Sequence, residues 1–197
     1  IDNLLINSIT DITIVSGYKS DVLEHHIKSI YPNIKIIYSK NYATTNNMYS
    51  AWLCKQFMIE DDFIMMNADV FFDSSVITEL INFPEKNAIV TDIGNYLEES
   101  MKVVEKNGKL IEISKNISEF DALGSSIDIY KFSQEAGKVF FEKCEDYINE
   151  NKLNLWSEVA INDILSLVTF KACKLIGRWF EIDNHEDLSA AEILFKE

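Results

Sequence analysis

The residues best suited to chemistry in this chain are two aspartates that close apolar segments far apart in sequence. In "DDFIMMNADVFFD", Asp61 to Asp73, an apolar run stops on Asp69 and resumes with Val70-Phe71-Phe72. In "WFEID" a second apolar segment stops on Asp183. A buried strand ends on a carboxylate for one of two reasons: the acid makes a turn or caps the next helix, or it holds a cation. In open α/β sheets ligands bind outside the carboxyl ends of the strands. Two strand-end acids from distant segments could therefore share one divalent ion. Mg²⁺ suits such a pair, because it takes one or two carboxylates and fills its other positions with water and substrate phosphate. For the capping duty Asp73 is better placed than Asp69.

Other metal or nucleophile candidates are weaker. His25 and His26 are adjacent on an expected helix, so they point to different faces and cannot grip one ion from it. His185 falls where a helix should start. Cys54, Cys144 and Cys173 have no C-x-x-C spacing and lie within apolar patterns, as reduced core thiols of a cytoplasmic protein do.

The elements that must carry these residues alternate in the first half of the chain. Residues 1–9 have a helical apolar face, and "DITIVSGY" reads as a strand closed by Gly17. "KSDVLEHHIKSIY" reads as a helix with Ser20 as its N-cap, and "NIKIIYS" as a strand. "TTNNMYSAWLCKQFM" is a helix with Thr and Asn cap candidates, and "DFIMMNAD" a strand apolar throughout, as expected when both faces are covered. "SSVITELINF", opened by Asp73 or Ser74, is a helix, and "NAIVTDI" a strand. That order predicts an α/β layered fold with a mostly parallel sheet. The second half differs. "MKVVEKNGKLIEIS" is a hairpin about Asn107-Gly108, followed by the strand "ALGSSIDIYKFS". A helix over Gln134 to Asn151, another in "SEVAINDILSLV", strands in "FKACKLI" and "RWFEID", and a helix in "HEDLSAAEILFK" complete the reading. With six Gly and two Pro there is no linker composition, so residues 1–197 read as one α/β domain with an inserted antiparallel element.

Bulk properties narrow the function classes. The chain has 197 residues, 47% apolar and 25% charged, ordinary for a globular protein. No apolar run approaches the roughly 18 residues that span a bilayer, and no signal peptide is visible. A net charge of −14 argues against a nucleic-acid surface, which needs clustered cations. It leaves room for a small anionic ligand held through a divalent ion.

Seven segments in order, "DITIVSGYKSDVL", "NNMYSAWLC", "DDFIMMNADVFFDSSVI", "MKVVEKNGKLIEISKN", "GSSIDIYKFS", "LWSEVAINDIL" and "WFEIDNHEDLSAAE", resemble the sugar-phosphate-type nucleotidyltransferases. Within that group they look most like the small-alcohol phosphate cytidylyltransferases that act on phosphocholine, aminoethylphosphonate or inositol phosphate. The resemblance implies a Rossmann-like nucleotide-diphospho-sugar transferase fold. It also implies Mg²⁺-dependent transfer of CMP from CTP to a small phosphorylated acceptor, with pyrophosphate leaving. The product would feed surface polysaccharide, lipid or phosphonate assembly. Asp69 and Asp183 match the family's metal-binding aspartates. Gly17 and Tyr18 match the turn near the nucleotide base, and Asn46 and Asn47 the loop entering a helix beside the cleft, where helix capping is an equal alternative. Lys102 matches a position suited to gripping the acceptor phosphate in the catalytic step, and a solvent-facing lysine is the other reading. Tyr96, Trp156, Glu158 and Asp163 fall in segments like the acceptor pocket, where carboxylates beside aromatics suit a cationic head group. Ordinary surface acids on an amphipathic helix would look the same. No nucleic acid and no membrane insertion are expected among the partners, and a homodimer stays open.

The family's amino-terminal signature, G-x-G-x-R with a later Pro-Lys, has no counterpart here. The resemblance thus implies an amino-terminally truncated piece, lacking the first strand and the Gly-rich loop, with little transferase activity apart from its full-length parent. The alternatives are a hexose-1-phosphate nucleotidyltransferase using another nucleotide, a glycosyltransferase with an Asp-x-Asp metal pair, and a non-catalytic domain of the same fold.

Overall fold

A computed structural model describes residues 1–196. The elements in chain order are α1 (Asp2–Ile6), β1 (Thr13–Ser16), α2 (Ser20–Ile30), β2 (Lys35–Tyr38), α3 (Asn47–Leu53) and α4 (Lys55–Met58). Next come β3 (Phe63–Met66), β4 (Val70–Phe72), α5 (Ser74–Asn82), β5 (Ala88–Ile93), β6 (Lys102–Lys106), β7 (Lys109–Ser114) and β8 (Gly124–Phe132). The chain continues through α6 (Gln134–Asn149), α7 (Ser157–Ile164), β9 (Lys171–Lys174), β10 (Trp179–Glu181) and α8 (His185–Leu194). The layered α/β class expected from the sequence is the class observed.

The chain divides into two compact units, one of residues Ile1–Ser8, Ile64–Phe132 and Leu165 onward, the other of Ile9–Phe63 and Ser133–Ile164. In the first, a six-stranded sheet runs β7-β6-β8-β5-β9, with β3 also on β8. β5 pairs β9 in parallel, whereas β5–β8, β6–β8 and β6–β7 are antiparallel. The hairpin forms where expected: Asn107 and Gly108 take φ 53° and 71°, the two positive values a tight two-residue turn demands. Gly124 is required by contact, since a Cβ there would meet the Asp92 carbonyl oxygen at 2.3 Å. Helix α5 buries Val76, Ile77 and Leu80, and Ile89, Val103, Ile127, Ile129, Phe132 and Phe170 extend that core. Phe132 and Phe170 meet edge to face at 5.2 Å. A separate two-stranded ribbon joins β4 to β10 antiparallel. The indole of Trp179 in β10 donates to the Asp92 carboxylate at 3.1 Å. β4 is too short, at three residues, to be legible without its partner.

In the second unit β1 and β2 pair in parallel through α2. The core holds Met48, Phe140, Phe141, Cys144, Ala160, Ile161 and Ile164. Gly137 lets α6 approach Phe63, whose ring a Cβ would meet at 2.6 Å. Some boundaries differ from the sequence reading. The N-cap of α2 is Lys19, left-handed at φ 48°, and Ser20 is already helical. The helix expected through Met58 breaks at Cys54 into α3 and α4. α6 stops at Asn149, and the left-handed Asn151 at φ 60° turns the chain away. Among the described residues no helix is long and apolar enough to cross a membrane.

Candidate active site

Antiparallel pairing of β4 with β10 brings the distant acids together. The register sets Trp179 opposite Phe72, Phe180 opposite Phe71 and Glu181 opposite Val70. One step further, the Ile182 N–H donates to the Asp69 carbonyl at 2.9 Å. Asp69 therefore enters the ribbon just where Asp183 leaves it. Residues two apart on an extended chain share a face, so Glu181 joins Asp183. Carboxylate oxygens of Asp69, Glu181 and Asp183 all lie within 4.8 Å of one another.

The turn after Asp183 is fixed by its own hydrogen bonds. The backbone N–H groups of Asp183 and Asn184 donate to the Asp187 carboxylate at 3.1 and 3.2 Å. The Asn184 side chain accepts from the Glu186 and Asp187 N–H groups at 2.8 and 3.0 Å. This reciprocal capping box starts α8 and sets where Asp183 stands.

Electrostatics marks the cluster as strained without a counterion. Burial pushes the Asp69 carboxyl above the usual carboxylate range, and the charge of Asp183 adds to the shift, against one backbone hydrogen bond. Glu181 is raised by burial, then by Asp183 and Asp69, with Lys115 opposing. An all-oxygen, multiply negative donor set is what hard divalent ions take. Two oxygens on one Mg²⁺, with bonds of about 2.1 Å, are at most about 4.2 Å apart, so small side-chain rotations would bring these onto one ion. The donor set fits the group the resemblance implies.

Asp69 lies in the turn between β3 and β4, whereas the helix-cap position falls to Asp73. Asp73 is the N-cap residue of α5, although its side chain makes no capping bond. Its carboxylate instead accepts from Arg178, from the backbone N–H at 2.8 Å and from the guanidinium at 3.0 and 2.8 Å. Those bonds hold the Asp73 carboxyl below the usual range.

The remaining candidates are dispersed in role. Lys102 is 6% exposed, and its ammonium donates to the carbonyls of Glu98, Ser100 and Lys115 at 3.2, 3.3 and 2.9 Å. With three protons and three carbonyls, it anchors the β6–β7 hairpin and has no proton left for a phosphate. That corrects the phosphate-gripping role expected of it. Gly17 packs against Tyr42, whose side chain a Cβ would meet at 2.4 Å, and Tyr18 is 72% exposed. Asn46 caps α3 by accepting from the Asn47 N–H at 2.8 Å, and the Asn47 side chain accepts from the Ser157 N–H at 2.8 Å. Both asparagines thus hold up helix starts. Tyr96 is half-buried in the β5–β6 loop, in the unit that carries the acids. In the other unit Trp156 is 43% exposed, Glu158 is 2% exposed, and Asp163 accepts from the Tyr147 hydroxyl.

Glu181 is the residue the sequence reading passed over. Its signal was present: in "FEID" it stands two before Asp183, on the same strand face. Lys115, half-buried after β7, is the cation that opposes the charge on Glu181. Nothing local in "ISKN" distinguished it.

No family model matches the chain. It is 28% identical over 203 aligned residues to a CTP:phosphoglutamine cytidylyltransferase of Campylobacter jejuni, a match covering 91% of this chain and 80% of that protein. Its fold superposes on the inositol-1-phosphate CTP transferase of T. maritima with TM-score 0.81 at 15% identity, covering 98% of this chain and 78% of that one. On the CTP:phosphocholine cytidylyltransferase LicC of Streptococcus pneumoniae the TM-score is 0.76 at 17% identity, covering 100% and 83%. The chain has the Rossmann-like nucleotidyltransferase fold, and its homologues and structural neighbours are cytidylyltransferases and other nucleotidyltransferases.

Proposed function

We propose that this protein serves metal-dependent transfer of CMP from CTP to a small phosphorylated alcohol, phosphonate or amide, with release of pyrophosphate. The observation that carries the reading is the convergence of Asp69, Glu181 and Asp183 within 4.8 Å at the mouth of the β4–β10 ribbon, in a chain whose homologues include a cytidylyltransferase. These three carboxylates would hold Mg²⁺. When bound, the ion supplies positive charge to phosphate oxygens and helps hold reacting groups in line. The residues themselves do the positioning. The Ile182-to-Asp69 bond sets the spacing of the two strand ends, and the Asp187 box fixes Asp183. Lys115, whose charge acts on Glu181, is the candidate cation for a phosphate oxygen of either substrate. Candidates for a cationic acceptor head group are Trp156, with its exposed aromatic face, Glu158 and Asp163 in one unit, and Tyr96 in the other. Gly17, Tyr18, Asn46 and Asn47 remain candidates for the nucleotide. Three free thiols are in keeping with a reducing, cytoplasmic setting.

Pyrophosphate release by the full-length protein tests the nucleotide, with CTP, UTP and dTTP each offered phosphocholine, aminoethylphosphonate, inositol phosphate, glycerol phosphate and phosphoglutamine. Turnover that requires CTP is the expected result. Turnover with UTP or dTTP but not CTP makes the protein a nucleotidyltransferase of the hexose-phosphate kind instead. Mn²⁺ titration of the 197-residue chain tests the site separately. Asp69→Asn and Asp183→Asn should each abolish measurable binding, and Glu181→Gln should weaken it at least tenfold.

A further inference from the structure

We propose that Asp128 is a positioning residue for the cation site: it clamps Asn67, and through Asn67 the turn that delivers Asp69 to Glu181 and Asp183. The proposal rests on the reading that these carboxylates hold a cation.

Asp128 lies in the middle of β8 yet has φ 59°, the left-handed region that a strand residue with a side chain rarely adopts. The distortion coincides with a break in the β5–β8 ladder. Ile89 pairs with Tyr130 and Thr91 with Ser126, so β8 spends four residue steps (130 to 126) where β5 spends two (89 to 91). A bulge of this kind re-aims a side chain, and here the re-aimed group is a carboxylate with both oxygens engaged. Oδ2 accepts from the Asn67 amide at 3.0 Å, and Oδ1 accepts from the Tyr130 hydroxyl at 2.9 Å. The backbone joins in: the Asn67 N–H donates to the Asp128 carbonyl at 3.1 Å, and the Asp128 N–H donates to the Ser126 hydroxyl at 3.1 Å. Tyr130 and Ser126 are themselves buried, so the carboxylate is held from below by groups that cannot swing away.

Plain sheet pairing needs none of this. An apolar residue in extended conformation would complete β8 without backbone strain or a half-buried charge. What the arrangement adds is two bonds to Asn67, one from main chain and one from side chain. Asn67 opens the three-residue turn Asn67-Ala68-Asp69 between β3 and β4. Asp69 is tied at the other end by the Ile182 N–H. The turn is thereby fastened at both ends, and Asp128 supplies one fastening. Strain retained with a full set of partners beside a candidate site is the pattern expected of support for function.

Mn²⁺ affinity of the 197-residue chain, measured by calorimetric titration beside thermal unfolding, tests this. Asp128→Gly removes the carboxylate and relieves the positive φ together. The expected result is unfolding at or near the wild-type temperature with Mn²⁺ affinity reduced about tenfold or more. Asp128→Ala, which removes both acceptor oxygens while keeping the positive φ, keeps the test open if the glycine variant fails to fold. Asn67→Ala should lose the same factor, and the Asn67→Ala/Asp128→Gly pair should be no worse than either single change. Affinity within twofold of wild type in the folded single variants, or fully additive losses in the pair, overturns the positioning role while leaving the cation site standing. Absence of Mn²⁺ binding by the unsubstituted chain overturns both.

Discussion

Asp69, Glu181 and Asp183 repel one another, and the protein bears that repulsion whenever no cation is present. Burial first, and the neighbouring charges after it, raise the Asp69 and Glu181 carboxyls, so the sign follows directly. The penalty is full above the raised values, fades as pH falls through them, and is gone below the unfolded value of about 4. In metal-free buffer at pH 7, Asp69→Asn should therefore unfold at a slightly higher temperature than wild type. Solvent screening limits the gain to under about 1 kcal/mol. A lower melting temperature would mean that Asp69 supports the fold and has no strained ligand role. Asp73 has the opposite sign. Arg178 depresses its carboxyl, so that stabilisation is present above the unfolded value of about 3.9 and is lost as pH falls through the depressed folded one. Asp73→Asn should cost about 1 kcal/mol at pH 7 and nothing once the wild-type carboxyl is protonated. Melting temperatures across pH 2 to 7 check both variants at once.

At the scale of elements, the β6–β7 hairpin and the β4–β10 ribbon were legible to different degrees. Asn107-Gly108 announces the hairpin by conformation, because few other pairs accept φ 53° and 71° in succession. Lys102 looked like a phosphate ligand because a lysine's partners cannot be read from its neighbours. Its three bonds to carbonyls make it a fastening at the base of that hairpin. Lys102→Met should lower stability by about 2 kcal/mol, since carbonyls once paired lose their donor, and should leave Mn²⁺ affinity unchanged. Loss of Mn²⁺ binding in a folded Lys102→Met protein would return the lysine to the site. Gly17 tells the same story at smaller scale. A turn glycine beside a nucleotide and one beside Tyr42 have the same sequence signature, and the 2.4 Å at which a Cβ would meet Tyr42 is a packing reason for glycine there that no local reading contains.

For the whole molecule, the cysteines report on how tightly the interiors close. Burial raises Cys54 to about 11, Cys144 to about 12 and Cys173 to about 11. Native protein at pH 8 should react slowly with an aromatic disulfide reagent, and denatured protein should release three equivalents at once. A single faster equivalent would come from Cys54, which is half-buried, and rapid reaction of Cys144 or Cys173, both buried, would reveal an opening of the core. The sign of the linkage gives a second check. Thiols that stay protonated when folded but ionise near 8.5 when unfolded make stability fall as pH rises above that value.

The sequence by itself determined the α/β class, the order of nearly every element and two of the three clustered carboxylates. Hydrophobic period, turn dipeptides and strand-end acids are local properties, and they survive being read in one dimension. Only the tertiary structure decided that β4 exists, that it meets β10 in a register that adds Glu181, that the Lys102 ammonium is spent on backbone carbonyls, and that a side-chain oxygen of Asn46 and of Asn47 accepts from backbone N–H. Those outcomes depend on which distant strand supplies a partner and which carbonyls lie within reach. A residue's own neighbours in the chain carry no record of either.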